Sequence, residues 1–183
     1  MQNHPLCLFK YCPLCGSSNF HVNDFKSKKC DNCGFIYYFN SSSSTAAFIT
    51  NYEGELLVAK RAKEPAKGTL DLPGGFIDLN ETAEEAIVRE IEEETGLKVE
   101  NPVYLFSLPN IYVYSGMEIH TVDMFFDIYV DKSFPIRADD DVSELIWLKR
   151  EDIVPELFGL TSIKQGVVKW LSLINSKTKR EAL

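Results

Sequence analysis

Apolar and polar positions change period along this chain, and the changes mark its elements. Two apolar runs, Ala46–Thr50 and Glu55–Lys60, flank the polar tetrapeptide Asn51-Tyr52-Glu53-Gly54, which predicts a β-hairpin. Further extended segments are predicted at Val99–Ser107, Ile119–Val130 and Glu144–Leu148, and upstream at Asn19–Val22, after Lys28 and at Phe35–Phe39. The period lengthens to that of a helix at Thr82–Thr95 and Thr161–Ile174, with a shorter helix after Lys149. Strands and helices are mixed without the regular alternation of a doubly wound parallel sheet, so the expected class is α+β, an α/β/α sandwich around a mixed sheet.

Length and composition narrow this picture. At 183 residues the chain holds one domain, or a small module in front of a domain of about 140 residues. With 45% hydrophobic residues it buries a core, which excludes disorder as the main state. The 27 acidic residues against 19 basic ones, net −8, argue against a protein that holds nucleic acid mainly by counterion release. No run approaches the ~20 apolar residues that span a bilayer, and the first residues lack a charged segment followed by an apolar one. No membrane partner is expected, and the location expected is cytoplasmic. The run Ser41-Ser42-Ser43-Ser44 reads as a short connection, which divides the chain into residues 1–40 and 41–183.

The first part is built on cysteines. Cys12 and Cys15 form one CxxC pair, Cys30 and Cys33 another, with fourteen residues between them. Two such turns supply four thiolates for one tetrahedral ion with no open position, so the reading is a structural Zn²⁺ site in a zinc ribbon. Two disulfides or four unrelated thiols are the alternatives, and the absence of a secretory signal favours the metal. Cys7 is left over and takes no role.

In the second part the chemistry lies on one helix. Thr82 and Glu85 stand in the relation of a capping box, and Gly96 follows the last turn. At 100° per residue Ala83, Ala86, Ile87 and Ile91 share the core-facing side, and Glu90 and Glu94 project with them while Glu93 flanks them. Carboxylates beside an apolar stripe lose hydration and repel one another, and the last helical turn disfavours negative charge. A divalent cation answers both, and oxygen-only ligation selects Mg²⁺ or Mn²⁺. Arg89 lies four residues from both Glu85 and Glu93, placed to pair with these acids. Upstream, Gly74 and Gly75 let the backbone approach a metal or phosphate.

Taken together, Gly75, Glu81, Arg89-Glu90-Ile91, Glu93-Glu94 and Gly96-Leu97 resemble the full signature of the Nudix family over 23 residues. A cysteine ribbon directly before such a domain is similar to the NADH pyrophosphatase branch. In that branch a motif of the form SQPWPFPxS lies nine residues beyond the box. Ser107-Leu108-Pro109-Asn110-Ile111-Tyr112-Val113-Tyr114-Ser115 holds this place, matching at Ser107, Pro109 and Ser115, with Tyr112 for Phe. The Gln, the Trp and two prolines are missing, which bears on NADH as substrate.

The resemblance implies a Nudix-like fold and metal-dependent hydrolysis of a nucleoside diphosphate linked to another moiety, such as ADP-ribose or NAD(H). It implies catalytic roles for Arg89, Glu90, Glu93 and Glu94, with the Gly75 carbonyl as a further metal ligand. Substrate contacts are expected from Gly74, Gly75, Ser107, Pro109 and Tyr112. Asp141 stands where relatives carry a late acidic residue that serves as general base, and Glu144 is the second choice. Phe48, Tyr104, Tyr112 and Tyr114 are candidates to stack on a base, and Lys60 and Arg61 to meet phosphates. A homodimer is implied by the resemblance alone. Two alternatives remain: hydrolysis of nucleoside triphosphates, and a non-catalytic ligand- or nucleic-acid-binding module, for which a capped RNA end is the one nucleic-acid partner considered.

Overall fold

The computed structural model describes residues 4–131, 136–138 and 142–181. The chain divides into two compact units, one ending at Ser41 and one beginning at Ser42.

The smaller unit is a three-stranded antiparallel sheet, β1 (Phe20–Asp24), β2 (Ser27–Cys30) and β3 (Ile36–Tyr38), in that order. Its core is small: Cys12, Phe20 and Cys30 are buried, with Phe9, Phe35 and Tyr37 packed on them. So few apolar residues need an additional constraint to hold a fold. The cysteines offer one. The amide of Gly16 donates to Cys12 O and that of Gly34 to Cys30 O, each at 2.9 Å, so the two turns are built alike.

The larger unit is a mixed sheet between two helices. Its strands are β4 (Ser42–Asn51), β5 (Leu56–Arg61), β6 (Leu70–Asp71), β7 (Val103–Tyr114), β8 (Met117–Val130) and β9 (Val142–Leu148). They run in the order β6-β5-β4-β8-β7, with β9 paired to β5. The helices are α1 (Ala83–Thr95) and α2 (Thr161–Glu181). Alternation along β4 and β8 assigns the two faces. Ala46, Phe48 and Phe125 pack with Ile163, Val167 and Trp170 of α2. Ala47, Ile49, Phe126 and Ile128 pack with Ile87 and Ile91 of α1.

Several sequence expectations change here. Ser42–Ser44 are no connection: they begin β4 and pair in parallel with Thr121–Asp123 of β8. The hairpin is paired only at Ile49–Leu57 and Thr50–Leu56, after which the strands part. The chain from Pro73 to Ile77 fills the gap, with Thr45 N donating to Gly75 O and Ala47 N to Pro73 O. β7 continues seven residues beyond Ser107 and turns at Ser115-Gly116 into β8. The helix after Lys149 is two single 3₁₀ turns, Arg150–Asp152 and Pro155–Leu157, and α2 runs on through Glu181. Among the described residues no helix is long and apolar enough to cross a membrane.

Candidate active site

Local sequence fixes where α1 starts and stops. Thr82 Oγ1 accepts from Glu85 N at 3.2 Å while Glu85 Oε2 accepts from Thr82 N at 2.8 Å, closing the capping box. The Thr82 amide holds the Glu85 carboxyl below its ordinary range. Gly96 ends the helix in the left-handed region.

Because Glu85 is taken up by the cap, Arg89 does not pair with it. Arg89 turns instead to Glu81, just before the helix, in a two-pronged contact: Nε to Oε1 at 2.8 Å and Nη2 to Oε2 at 2.9 Å. Its remaining donors reach Glu90 Oε1 at 2.9 Å, Glu93 Oε2 at 3.0 Å and the carbonyl of Phe76 at 3.1 Å. One guanidinium therefore gathers three carboxylates and ties the glycine loop to the helix. These bonds hold Glu81 down at about 2, chiefly through Arg89, and push the Arg89 pKa further up, chiefly through Glu81. Sequence reasoning counted Glu81 in the box but gave it no partner, since it lies outside the helical period.

Glu94, on the next turn, is buried and accepts from Gly74 N at 3.0 Å. Gly74 and Gly75 are required here for different reasons. A Cβ on Gly74, whose φ is +145°, would fall 2.2 Å from the carbonyl oxygen of Thr45; a Cβ on Gly75 would fall 2.5 Å from Glu90 Oε1. The first glycine admits the neighbouring strand and the second admits the carboxylate.

The donor set of Glu90, Glu93 and Glu94 is oxygen-only and lies against a backbone with no Cβ in the way, which fits a hard divalent cation. The carbonyl of Gly75 accepts from Thr45 N at 2.8 Å and, more weakly, from Thr45 Oγ1 at 3.4 Å, so a metal there would displace the hydroxyl. The acids are held apart rather than touching. Arg89 Nη1 stands between Glu90 and Glu93, and Glu94 is turned to Gly74. Among the described residues the only group of three or more whose metal-ligating atoms all lie within 4.8 Å of one another is Cys12, Cys15, Cys30 and Cys33. Their closest sulfur pairs, Cys12–Cys33 and Cys15–Cys30, are 3.7 Å apart. That is too long for a disulfide and close to the ~3.8 Å edge of a tetrahedron with ~2.3 Å metal–sulfur bonds. Hydrogen bonds from the Ser17 amide and from Cys33 lower Cys15 to about 6.

Beside Gly74, Gly75 and Glu94 opens a cavity of about 440 Å³. Hollows of about 580 and 710 Å³ occur elsewhere on this unit, but neither touches these three residues. Asn110, Tyr112 and Tyr114 of β7 line the cavity, with Tyr112 edge-on to Phe76 at 5.9 Å. Ser107 and Pro109 are exposed and do not line it. Arg61, which also lines the cavity, is bonded to Asp71 and to Pro65 O, so this arginine is committed within the protein. Burial pushes the Asp71 carboxyl up, and Arg61 only partly offsets it.

Of the other candidates, Phe48 is fully buried and stacked on Trp170 at 4.8 Å, which makes it core. Tyr104 packs edge-on against Phe126. Lys60 faces Glu144 across β5 and β9 at 3.7 Å. Asp141 lies outside the described residues. Sequence reasoning missed Asp71 and Asp123, both buried in the cavity wall. The available signal for Asp123 was an acid in an inward position of an alternating strand, between Thr121 and Phe125.

Comparison with known proteins agrees with this architecture. The model of the NUDIX domain matches residues 41–171. An ADP-ribose pyrophosphatase of Methanocaldococcus jannaschii is 32% identical over 124 residues, 67% of this chain and 70% of that protein. An NAD-capped RNA hydrolase NudC of Haemophilus influenzae is 28% identical over 156 residues, covering 85% of this chain but 57% of the relative's length. Among solved structures, a NUDIX hydrolase from Nitrosomonas europaea superposes with a TM-score of 0.69 at 22% identity, over 89% of this chain and 90% of that one.

Proposed function

From the premise that the chain belongs to the Nudix family, we propose that it hydrolyses the pyrophosphate bond of a nucleoside diphosphate linked to a further group, of which ADP-ribose is the type, and releases a nucleoside monophosphate. The observation that carries this reading is Arg89, which binds Glu81, Glu90 and Glu93 at once and fastens the Gly74–Phe76 loop to the helix. An arginine so placed prearranges acids that would otherwise repel one another. The cavity beside them is of a size to take part of a small molecule.

Glu90, Glu93 and Glu94 would hold Mg²⁺ or Mn²⁺, with the Gly75 carbonyl joining them where the weak 3.4 Å bond from Thr45 Oγ1 gives way. The ion when bound supplies neutralisation of phosphate charge and a bound water of lowered pKa. The chain's own residues position. Arg89 holds Glu90 and Glu93 in place, the Gly74 amide orients Glu94, and Tyr112 and Asn110 border the space for the substrate. Asp141 or Glu144 is the proposed general base. Residues 1–40 are proposed as a zinc ribbon, with Zn²⁺ on Cys12, Cys15, Cys30 and Cys33 in a structural role, and residues 41–183 as the hydrolase domain.

A second reading, an NAD cap on an RNA end, is favoured by one finding: the match to the NudC relative is longer than the larger unit alone and so reaches into the cysteine-bearing part. One experiment tests both. ADP-ribose, NADH, NAD, an NAD-capped oligoribonucleotide and nucleoside triphosphates are incubated with the protein and Mg²⁺ or Mn²⁺, products are resolved by chromatography, and Glu94→Gln runs alongside. AMP from ADP-ribose in the wild type but not the variant is expected. Equal turnover by both proteins, or release of pyrophosphate from triphosphates alone, would overturn the reading.

A further inference from the structure

Resting on the hydrolase reading, we infer that Asp123 is a positioning residue for the glycine loop: it fastens the first turn of α2 to the start of β4, the strand against which Gly74 and Gly75 are laid. Ser44 of β4 stands beside Asp123 of β8 in the parallel register, and alternation puts both on the face of Phe48 and Phe125, which α2 covers. The Asp123 side chain is buried. Its Oδ1 accepts from Ser44 Oγ and from Thr121 Oγ1, both at 2.5 Å, and its Oδ2 accepts from Ser162 Oγ. Three elements thus meet on one carboxylate. The packing of α2 explains why Ser162 is there. Gly166 lies against the Phe125 ring, where a Cβ would fall 2.4 Å from Cε1, so the helix comes closer to β8 than a side chain would allow. Four residues back along the helix is about 6 Å, and two residues back along the strand about 6.6 Å. Ser162 therefore stands over Asp123 as Gly166 stands over Phe125. A buried carboxylate is costly, and here three hydroxyl donors and the positive end of the α2 dipole lower the cost, Ser162 being the second residue of that helix.

Ser44 carries the link onward. It forms an antiparallel bridge with Phe76, and its neighbours complete the seam: Ile77 N donates to Ser43 O at 3.1 Å and Thr45 N to Gly75 O at 2.8 Å. The loop is thereby clamped from two sides. Arg89 holds it through the Phe76 carbonyl on the side of α1, and Asp123 holds it through Ser44 on the side of the sheet. What the clamp keeps in place is the Gly75 carbonyl and the Gly74 amide that meets Glu94. Releasing it at Ser162 shifts the groups beside the acids of α1, so the effect falls on kcat and on metal affinity rather than on KM. Repacking of Leu160 and Ile163, the α2 neighbours of Ser162 that do line the cavity, would instead alter KM.

Ser162 is fully buried and does not line the cavity, so it touches no ligand, and Ser162→Ala reaches the reaction only through the protein. The measurements are kcat and KM for ADP-ribose, Mn²⁺ affinity by electron paramagnetic resonance, and the backbone amide resonances of Gly74 and Gly75 in the isotope-labelled full chain without added Mg²⁺. The expected result is a fall in kcat of about ten-fold at unchanged KM, weaker Mn²⁺ binding and a shift of both glycine resonances. Ser44→Ala is expected to lower kcat alike, and the double variant to lose no more than either single one, because both cut the same link. Ser162→Cys, near in size and a poor donor, carries the test if alanine prevents folding. A serine that only stabilises the fold would lower the melting temperature and leave kcat and the glycine resonances where they were. That result, a change confined to KM, or losses that add in the double variant overturns the proposal. If the wild type turns over no nucleotide, the hydrolase reading fails while the clamp does not, and the two glycine resonances then decide it: shifted in Ser162→Ala they uphold the link, and unmoved they overturn it.

Discussion

Gly75→Ala isolates what the glycine loop does for the acids. A Cβ at this position would lie 2.5 Å from Glu90 Oε1 and 2.6 Å from Glu90 Cδ. An ordinary contact needs about 3.4 Å or more, so the carboxylate must retreat by about 1 Å. It is the far end of a flexible side chain and can do so without moving backbone, but it then stretches its 2.9 Å bond to Arg89 Nη1. The stability balance is nearly even. Stiffening the unfolded chain contributes about 0.4–1 kcal/mol, and weakening a partly exposed ion pair costs about 0.2–1 kcal/mol. Activity behaves differently, since a displacement of ~1 Å at a catalytic group costs on the order of a hundred-fold. We expect kcat/KM for ADP-ribose to fall by about that factor, Mn²⁺ affinity by electron paramagnetic resonance to weaken, and the melting temperature to stay within a few degrees of wild type. Gly74→Ala, whose Cβ meets the Thr45 carbonyl, loses the fold instead. A Gly75→Ala protein with wild-type activity and Mn²⁺ affinity would refute the placement of Glu90 at the reaction centre.

Glu81→Gln removes the anchor of Arg89 and is expected to lower kcat/KM by on the order of ten-fold while leaving substrate-independent folding intact at neutral pH. Its acid unfolding is also informative. With Glu81 at about 2 in the fold against an ordinary 4.5, its stabilisation is complete above that ordinary value and is lost as pH falls from 4.5 toward 2. The variant should therefore show a shallower loss of stability over that window in urea titrations. Arg61→Met leaves Asp71 buried without its cation, and the unfolding free energy should drop by about 3 kcal/mol at neutral pH. Part of the loss should return at low pH as Asp71 takes up a proton; no recovery would mean that packing, not charge, is what Arg61 supplies. Stripping metal with a strong chelator should collapse hydrogen-exchange protection in β1–β3 and leave it in β4, β5 and β8, whose cores contain no cysteine.

What was legible in the sequence was what is local. The capping box, the apolar stripe and Gly96 define α1 within the fifteen residues Thr82–Gly96, and the structure places each as the spacing requires. The ends of β7 and β4 were not legible because partners set them. The predicted strand stopped at Ser107, yet β7 runs on through Pro109, and because β7 is an edge strand paired with β8 alone, a proline without an amide proton is tolerated there. The serine run reads as a connection from composition, but parallel pairing with Thr121–Asp123 and the Asp123 carboxylate draw it into the sheet. Arg89 shows the same limit at the site. Helical arithmetic offered it Glu85, four residues away, while a competing local bond to Thr82 removed that partner. The acid that replaced it stands before the helix, where no periodicity reaches.

The charge problem at the end of α1 is thus solved before any cation binds. Glu92, Glu93 and Glu94 crowd a helical terminus whose last turn contains no basic residue, an arrangement the helix dipole opposes. Compensation comes from one turn earlier and from outside the helix: Arg89 meets Glu93 and Glu90, Lys98 meets Glu92 at 3.5 Å, and the Gly74 amide meets Glu94. Each contact is a directed hydrogen bond or ion pair to a separate acid, so the carboxylates are fixed one by one and spaced apart. Binding a divalent ion then requires small rotations about side-chain bonds and no folding of a loop. Arg89 can remain on Glu81 while its shared nitrogen releases Glu90 or Glu93. Removing Arg89 should on this account weaken the metal site and the resting helix together, whereas removing Glu94 should weaken the metal site and leave the Gly74 amide without its acceptor.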